Sequence, residues 1–95
     1  MEFEWDENKN QRNLAKHRIN FEEAAQIFRG PTATKIDDRE DYGEVREIST
    51  GLLGEQVVIV VVHTDRESVT RIISARTAKR EERKAYYDYC KTLFG

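Results

Sequence analysis

Hydrophobic and polar positions along the chain follow two periods. Phe3 and Trp5 alternate with Glu2, Glu4 and Asp6, the two-residue period of a strand with one buried face. Asp6 can cap a helix that starts near Glu7 and runs to about His17. Lys16, His17 and Arg18 stand at its end, where the helix dipole favours cations. Its apolar content is thin (Leu14 and Ala15), which predicts a surface helix covering a sheet with a narrow stripe. Asn20 is a second cap, with Glu23 three residues on to complete a capping box and Ile19 in front as a staple. Phe21, Ala24, Ala25 and Phe28 then fall on one helical face, and Gly30-Pro31 stops the helix.

Beyond Pro31 the period shortens. Thr34 to Asp38 reads as a weak strand, Arg39 to Gly43 as a polar loop and Val45 to Leu52 as a strand containing Ile48. Gly51 and Gly54 read as hairpin glycines, with the tight turn at Gly54-Glu55. Val57 to His63 shows no alternation, so both its faces should be covered and the strand should be central. After a turn over Thr64 to Glu67, Val69 to Ala75 is another strand. Ala78 to Phe94 is helical again, with Ala85, Tyr86, Tyr89, Leu93 and Phe94 as candidate apolar contacts. The order β-α-α-β-β-β-β-α predicts an α+β fold over residues 1–95: a mainly antiparallel sheet packed by two N-terminal helices and a C-terminal helix.

Ninety-five residues suit one domain. No stretch approaches the roughly 18 apolar residues of a membrane helix, and the first residues lack the pattern of a secretory signal. With Cys90 the lone cysteine, no intrachain disulfide can form. A cytoplasmic protein without membrane association is the expectation. His17 and His63 lack any metal-ligand spacing, and no glycine-rich phosphate loop occurs, so neither a metal nor a cofactor is expected. His63 reads as a core or capping histidine, and Cys90 as packing.

Net charge is −2, which by itself argues mildly against a nonspecific nucleic-acid binder. The distribution changes that picture. Residues 1–50 carry 8 basic and 12 acidic side chains, and residues 51–95 carry 8 and 6. Six of the basic residues (Arg71, Arg76, Lys79, Arg80, Arg83 and Lys84) lie within one short stretch. Charge alone is accounted for by a solvated helix face with i,i+4 pairs. The residue types add more. Arg76 falls where the last strand gives way to the last helix, and Glu82 and Tyr86 are one turn apart on that helix. Two guanidiniums, Arg76 and Arg83, could thus gather with a carboxylate and a phenol, and the planar fork of arginine matches phosphate oxygens. On the first helix Lys9, Asn13 and Lys16 share a face, with His17 adjacent. Imidazole titrates near neutrality, although from spacing alone a cationic helix end is the better account of Lys16 and His17.

These segments resemble the BrnT toxin family. The residues that carry the resemblance are Phe3-x-Trp5-Asp6-x-x-Lys9, Asn13-x-x-Lys16-His17-x-Ile19-x-Phe21-Glu22-x-Ala24, Arg39-x-x-Tyr42-Gly43-Glu44-x-Arg46, and Ile73-Ser74-Ala75-Arg76-x-Ala78 with Glu82 and Tyr86. The resemblance implies a RelE-like fold and a metal-independent ribonuclease toxin of a type II toxin–antitoxin module that blocks translation. It also implies a BrnA-type ribbon-helix-helix antitoxin as partner, RNA as substrate, and promoter DNA reached only through the antitoxin. RNA cleavage of this kind begins with attack of a 2′-hydroxyl on the adjacent phosphate. It needs a base, an acid and cations for the phosphorane. Arg76 and Arg83 are then candidates for the phosphate clamp, His17 or Lys9 for the base, and Tyr86 or protonated His17 for the acid. Glu82 would orient an arginine or act as base. Lys16, Arg71, Lys79 and Arg80 are candidate RNA contacts, with Arg71 ranked lower because strand parity puts it on the opposite face from Arg76 unless a bulge intervenes. The competing expectation is an RNA- or protein-binding module of the same fold that does not cleave.

Overall fold

The computed structural model describes residues 1–94. The apolar run that starts at Val57 becomes β4 (Val57–Arg66), the middle strand of a five-stranded sheet. Around it lie β1 (Glu2–Trp5), β2 (Ala33–Ile36), β3 (Glu47–Leu53) and β5 (Val69–Thr77), in the order β1-β5-β4-β3-β2. β2 to β5 form an antiparallel meander, and β1 joins the far edge parallel to β5.

The two faces of β4 separate two cores. Ile59 and Val61 face one side, where they pack with Ile19, Phe21, Ala24, Ile27, Ile72 and Ala75. Val58 and Val60 face the other, where they meet Tyr86 and Ala78 of the C-terminal segment, flanked by Ile48, Leu52 and Cys90. This double burial is why the strand shows no alternation in sequence.

The first side is covered by α1 (Glu7–His17), α2 (Phe21–Ala25) and a 3-10 turn over Gln26–Arg29; the second by α3 (Arg80–Phe94). Asp6 caps α1 by accepting from the N–H groups of Asn8 and Lys9, and Asn20 and Glu23 form the reciprocal box at α2. Two expectations change. After Ala25 the helix tightens to three residues per turn, so Ile27 enters the core and Phe28 is only half-buried. Gly51 is not a hairpin glycine. It lies within β3 beneath the 3-10 turn, where an added Cβ would stand 2.8 Å from Ile27 Cβ. The turn itself uses Gly54, at φ +70°.

α1 buries no apolar stripe. Its inward residues are Asn10 and Asn13, while Leu14 is largely exposed. Asn10 Oδ1 accepts from Phe21 N at 2.8 Å, and Asn13 spans the α1–α2 connection and β5. On α3, Tyr86 is buried, Tyr89 is half-buried, and Ala85, Leu93 and Phe94 are exposed. No described helix is long and apolar enough to cross a membrane.

Candidate active site

The junction between β5 and α3 is built around one carboxylate. Glu82, in the first turn of α3, reaches back to accept the backbone N–H of Lys79 at 2.8 Å, as the acidic partner of a capping box does. The same carboxylate grips Arg76: Nη1 donates to Oε1 at 2.7 Å and Nη2 to Oε2 at 2.8 Å. The double hydrogen bond from Arg76 holds the Glu82 carboxyl down to about 2, against an ordinary 4.5, and raises Arg76 in return. At neutral pH Glu82 is therefore a fixed anion that orients a guanidinium, and a weak proton acceptor. Each side chain remains about one-third exposed (37% and 34%), so the pair stands at the surface.

A second forked arginine stands on the β2–β3 loop. Arg39 donates from Nε and Nη2 to the two oxygens of Asp37, at 2.7 and 2.8 Å. This grip holds the buried Asp37 carboxyl well below the ordinary range. Arg39 is close enough to Arg76 for its charge to count against the protonated form of Arg76. Two guanidiniums, each oriented by its own carboxylate, thus stand on the β2–β3 loop and at the end of β5. Arg39 had no role in the sequence reading; its only signal was its place in the Arg39-x-x-Tyr42-Gly43-Glu44-x-Arg46 segment.

Strand register decides Arg71. Ser74 opposes Val62 and Arg71 opposes Thr64, with Ile73 as the extra residue of a bulge. Val62 and Thr64 share a face, so Arg71 shares the α3 face with Arg76. Parity without the bulge would put it on the other side. Glu4, alongside on β1, lies 3.6 Å from the Arg71 guanidinium.

Lys79, Arg80 and Arg83 are exposed around the start of α3, and among the described residues no ion pair holds them. Tyr86 is differently placed. It is 2% exposed and its hydroxyl donates to Pro31 O at 2.7 Å, while burial pushes the phenol up. It is a core residue with its proton engaged, which argues against the acid role.

The α1 candidates occupy the edge of β5. Trp5 is level with Ile72, and Asn13 bonds the backbone of Ala75, so α1 advances along β5 toward the junction. His17 stands one turn beyond Asn13 on α1 and is half-buried. Lys9 and Lys16 are exposed. Among the described residues no hydrogen bond or ion pair joins Lys9, Lys16 or His17 to Arg76, Glu82 or Arg83. A groove of about 390 Å³ takes Glu82 and Tyr86 in its wall together with β2 and β3, and no α1 residue. The two groups of candidates belong to helices that cover opposite sides of the sheet, and they do not share that groove.

A family model described as the ribonuclease toxin BrnT of a type II toxin–antitoxin system matches residues 5–82. The chain belongs to the BrnT family. Its fold agrees with the solved structure of the Brucella abortus ribonuclease toxin BrnT, at a TM-score of 0.64 and 27% identity over 84% of this chain and 99% of that one. No curated protein sequence matches. The BrnT match includes Lys9, His17, Arg39, Arg71, Arg76 and Glu82, and ends before Arg83 and Tyr86. The forked Arg76–Glu82 pair thus lies within the segment that defines the family. A toxin of a type II module has an antitoxin as its counterpart.

Proposed function

We infer that this BrnT-family chain, acting as one RelE-like domain over its whole length, is a metal-independent endoribonuclease. Its expression in the cytoplasm would block translation, and a BrnA-type ribbon-helix-helix antitoxin would neutralise it and carry the pair to promoter DNA. The observation that carries the reading is the Arg76 guanidinium held by Glu82 in a two-bond fork at the end of β5, with exposed cations at the start of α3.

The chemistry follows from the charges. A 2′-hydroxyl attacks the neighbouring phosphorus, the 5′-oxygen leaves, and a 2′,3′-cyclic phosphate remains. Charge grows on the non-bridging oxygens in the transition state. Guanidiniums already fixed in direction stabilise that charge without reorganising. Arg76 leads the clamp with Arg83; Lys79, Arg80, Lys16 and Arg71 guide the RNA backbone, and Arg39 is a further oriented cation on the β2–β3 loop. Glu82 positions Arg76. His17, with Lys9 as the alternative, would serve as base and then acid only for a substrate that reaches around the β5 edge, because α1 and α3 cover opposite sides of the sheet. A substrate that passes around the β5 edge would meet both groups.

The test is controlled expression with and without the antitoxin gene, followed by primer extension on total RNA and by digestion of RNA with purified protein in EDTA. Growth arrest, antitoxin rescue and cyclic-phosphate ends formed in EDTA are expected. RNA bound in a salt-dependent way and never cut would replace the reading with a binding module.

A further inference from the structure

We propose that Glu47, His63 and Asp65 form a binding site for one zinc ion on the sheet face opposite Arg76. Linear spacing gave no hint of it because the ligands come together across two strands. Glu47 of β3 is directly opposite His63 of β4, so the two side chains share a face, and Asp65, two residues on, shares it too. One imidazole nitrogen and one oxygen from each carboxylate lie within 4.8 Å of one another. Ligands of a tetrahedral zinc, each about 2.0–2.1 Å from the metal, are roughly 3.3 Å apart. Closing the site requires a shift on the order of 1 Å, and the two carboxylates are the groups free to make it: Asp65 is half-exposed and Glu47 half-buried.

The imidazole is already held from behind. His63 is 3% exposed, its ring meets Phe28 edge-on, and its Nε2 is 2.7 Å from the buried Ser49 hydroxyl. Ser49 in turn is 2.7 Å from the Thr34 hydroxyl. Nδ1 points outward to Asp65, at 3.0 Å. A metal-bound histidine usually donates its other N–H to an acceptor that fixes its tautomer. Ser49 can be that acceptor. A hydroxyl both donates and accepts, so the Thr34–Ser49 pair can reverse direction and let His63 carry its proton on Nε2. Nδ1 then presents a lone pair between two carboxylates, which a cation satisfies. Imidazole with two carboxylates suits zinc; magnesium, which prefers six oxygens, does not fit. Three protein ligands leave the fourth position to water.

The experiment titrates Zn²⁺, and separately Mg²⁺, into EDTA-stripped full chain by calorimetry. A parallel titration follows the ring nitrogens of the two histidines by NMR. One zinc per chain is expected, with no magnesium binding, a rise in melting temperature, and a shift of His63 Nδ1 while His17 stays unmoved. Glu47→Gln and Asp65→Asn, both away from the core, should each weaken zinc at least ~10-fold, and Ser49→Ala ~10–100-fold. Cys90→Ser should bind as wild type. Absence of stoichiometric binding at low-micromolar zinc overturns the proposal, as does binding that survives both carboxylate changes or moves the His17 signals instead.

Discussion

Asn13 takes the place of a strand beside Ala75. Its Nδ2 donates to Ala75 O at 2.8 Å and its Oδ1 accepts from Ala75 N at 3.1 Å, so one side-chain amide completes the β5 edge beyond the end of β1. The same Nδ2 donates to Ile19 O at 2.9 Å, which ties the α1–α2 connection to the sheet. Asn13→Ala leaves these buried backbone groups without partners. At about 1–3 kcal/mol for each unsatisfied group, with partial relaxation, the loss should be roughly 2–5 kcal/mol. Asn13→Asp should be nearly as damaging, because a carboxylate cannot donate to the two carbonyls. Urea unfolding of both variants checks this; a change under about 0.5 kcal/mol would mean that water replaces the amide.

Gly51→Ala sets two effects against each other. Alanine restricts the unfolded chain and would stabilise by about 0.4–1 kcal/mol where space allows. Here the new methyl meets Ile27 Cβ at 2.8 Å and Thr32 Cγ2 at 3.2 Å, inside a packed interface. Overpacking costs about 1–3 kcal/mol, so the steric effect wins and the melting temperature should fall. An unchanged or raised melting temperature would show that the 3-10 turn can move away from β3.

Local rules reached the boundaries that local chemistry sets. Asp6 and Asn20 cap where their residue types require, and the unalternating run at Val57 is central because both faces are covered. The misses are of another kind. Ile27 replaced Phe28 in the core because the helix tightened, a change with no residue signature of its own. Arg71 changed faces through the bulge at Ile73, which tertiary pairing alone reveals. Asn13 looked like part of a polar outer face and is buried against a strand edge. At the site, the Arg76–Glu82 pairing was legible from a strand end followed by a helix start. The Asp37–Arg39 fork lies in the β2–β3 loop, where no periodicity records it.

Arg76→Ala should lower RNA cleavage ~100-fold, the usual worth of one oriented donor at a developing oxyanion. Its partner Glu82 keeps the cap on Lys79, and a partly exposed ion pair contributes little to stability, so the melting temperature should move by only a few degrees. Arg76→Lys should restore little activity. An ammonium holds the charge but cannot fork Glu82 and a phosphate in fixed directions. Single-turnover cleavage of a defined RNA measures both variants. A folded Arg76→Ala protein that cuts at the wild-type rate would remove Arg76 from the clamp.

Glu82→Gln separates the cap from the charge. Glutamine can still accept from Lys79 N–H, so the variant loses chiefly the ionic half of the fork with Arg76. In the folded chain the carboxyl is held down to about 2 by Arg76, against 4.5 when free. A folded-state value below the unfolded one means that the ionised carboxylate stabilises the fold. The wild type's advantage over Glu82→Gln should therefore be complete above about pH 5. It should shrink as the pH falls through 4.5 and disappear near 2. Because water screens the pair, the full gap is small, about 1 kcal/mol or less. Denaturant unfolding of both proteins across this range reads the gap directly. A gap that stays constant with pH, or widens in acid, would show that Glu82 acts through its cap alone, and Arg76 would then lose its positioning partner.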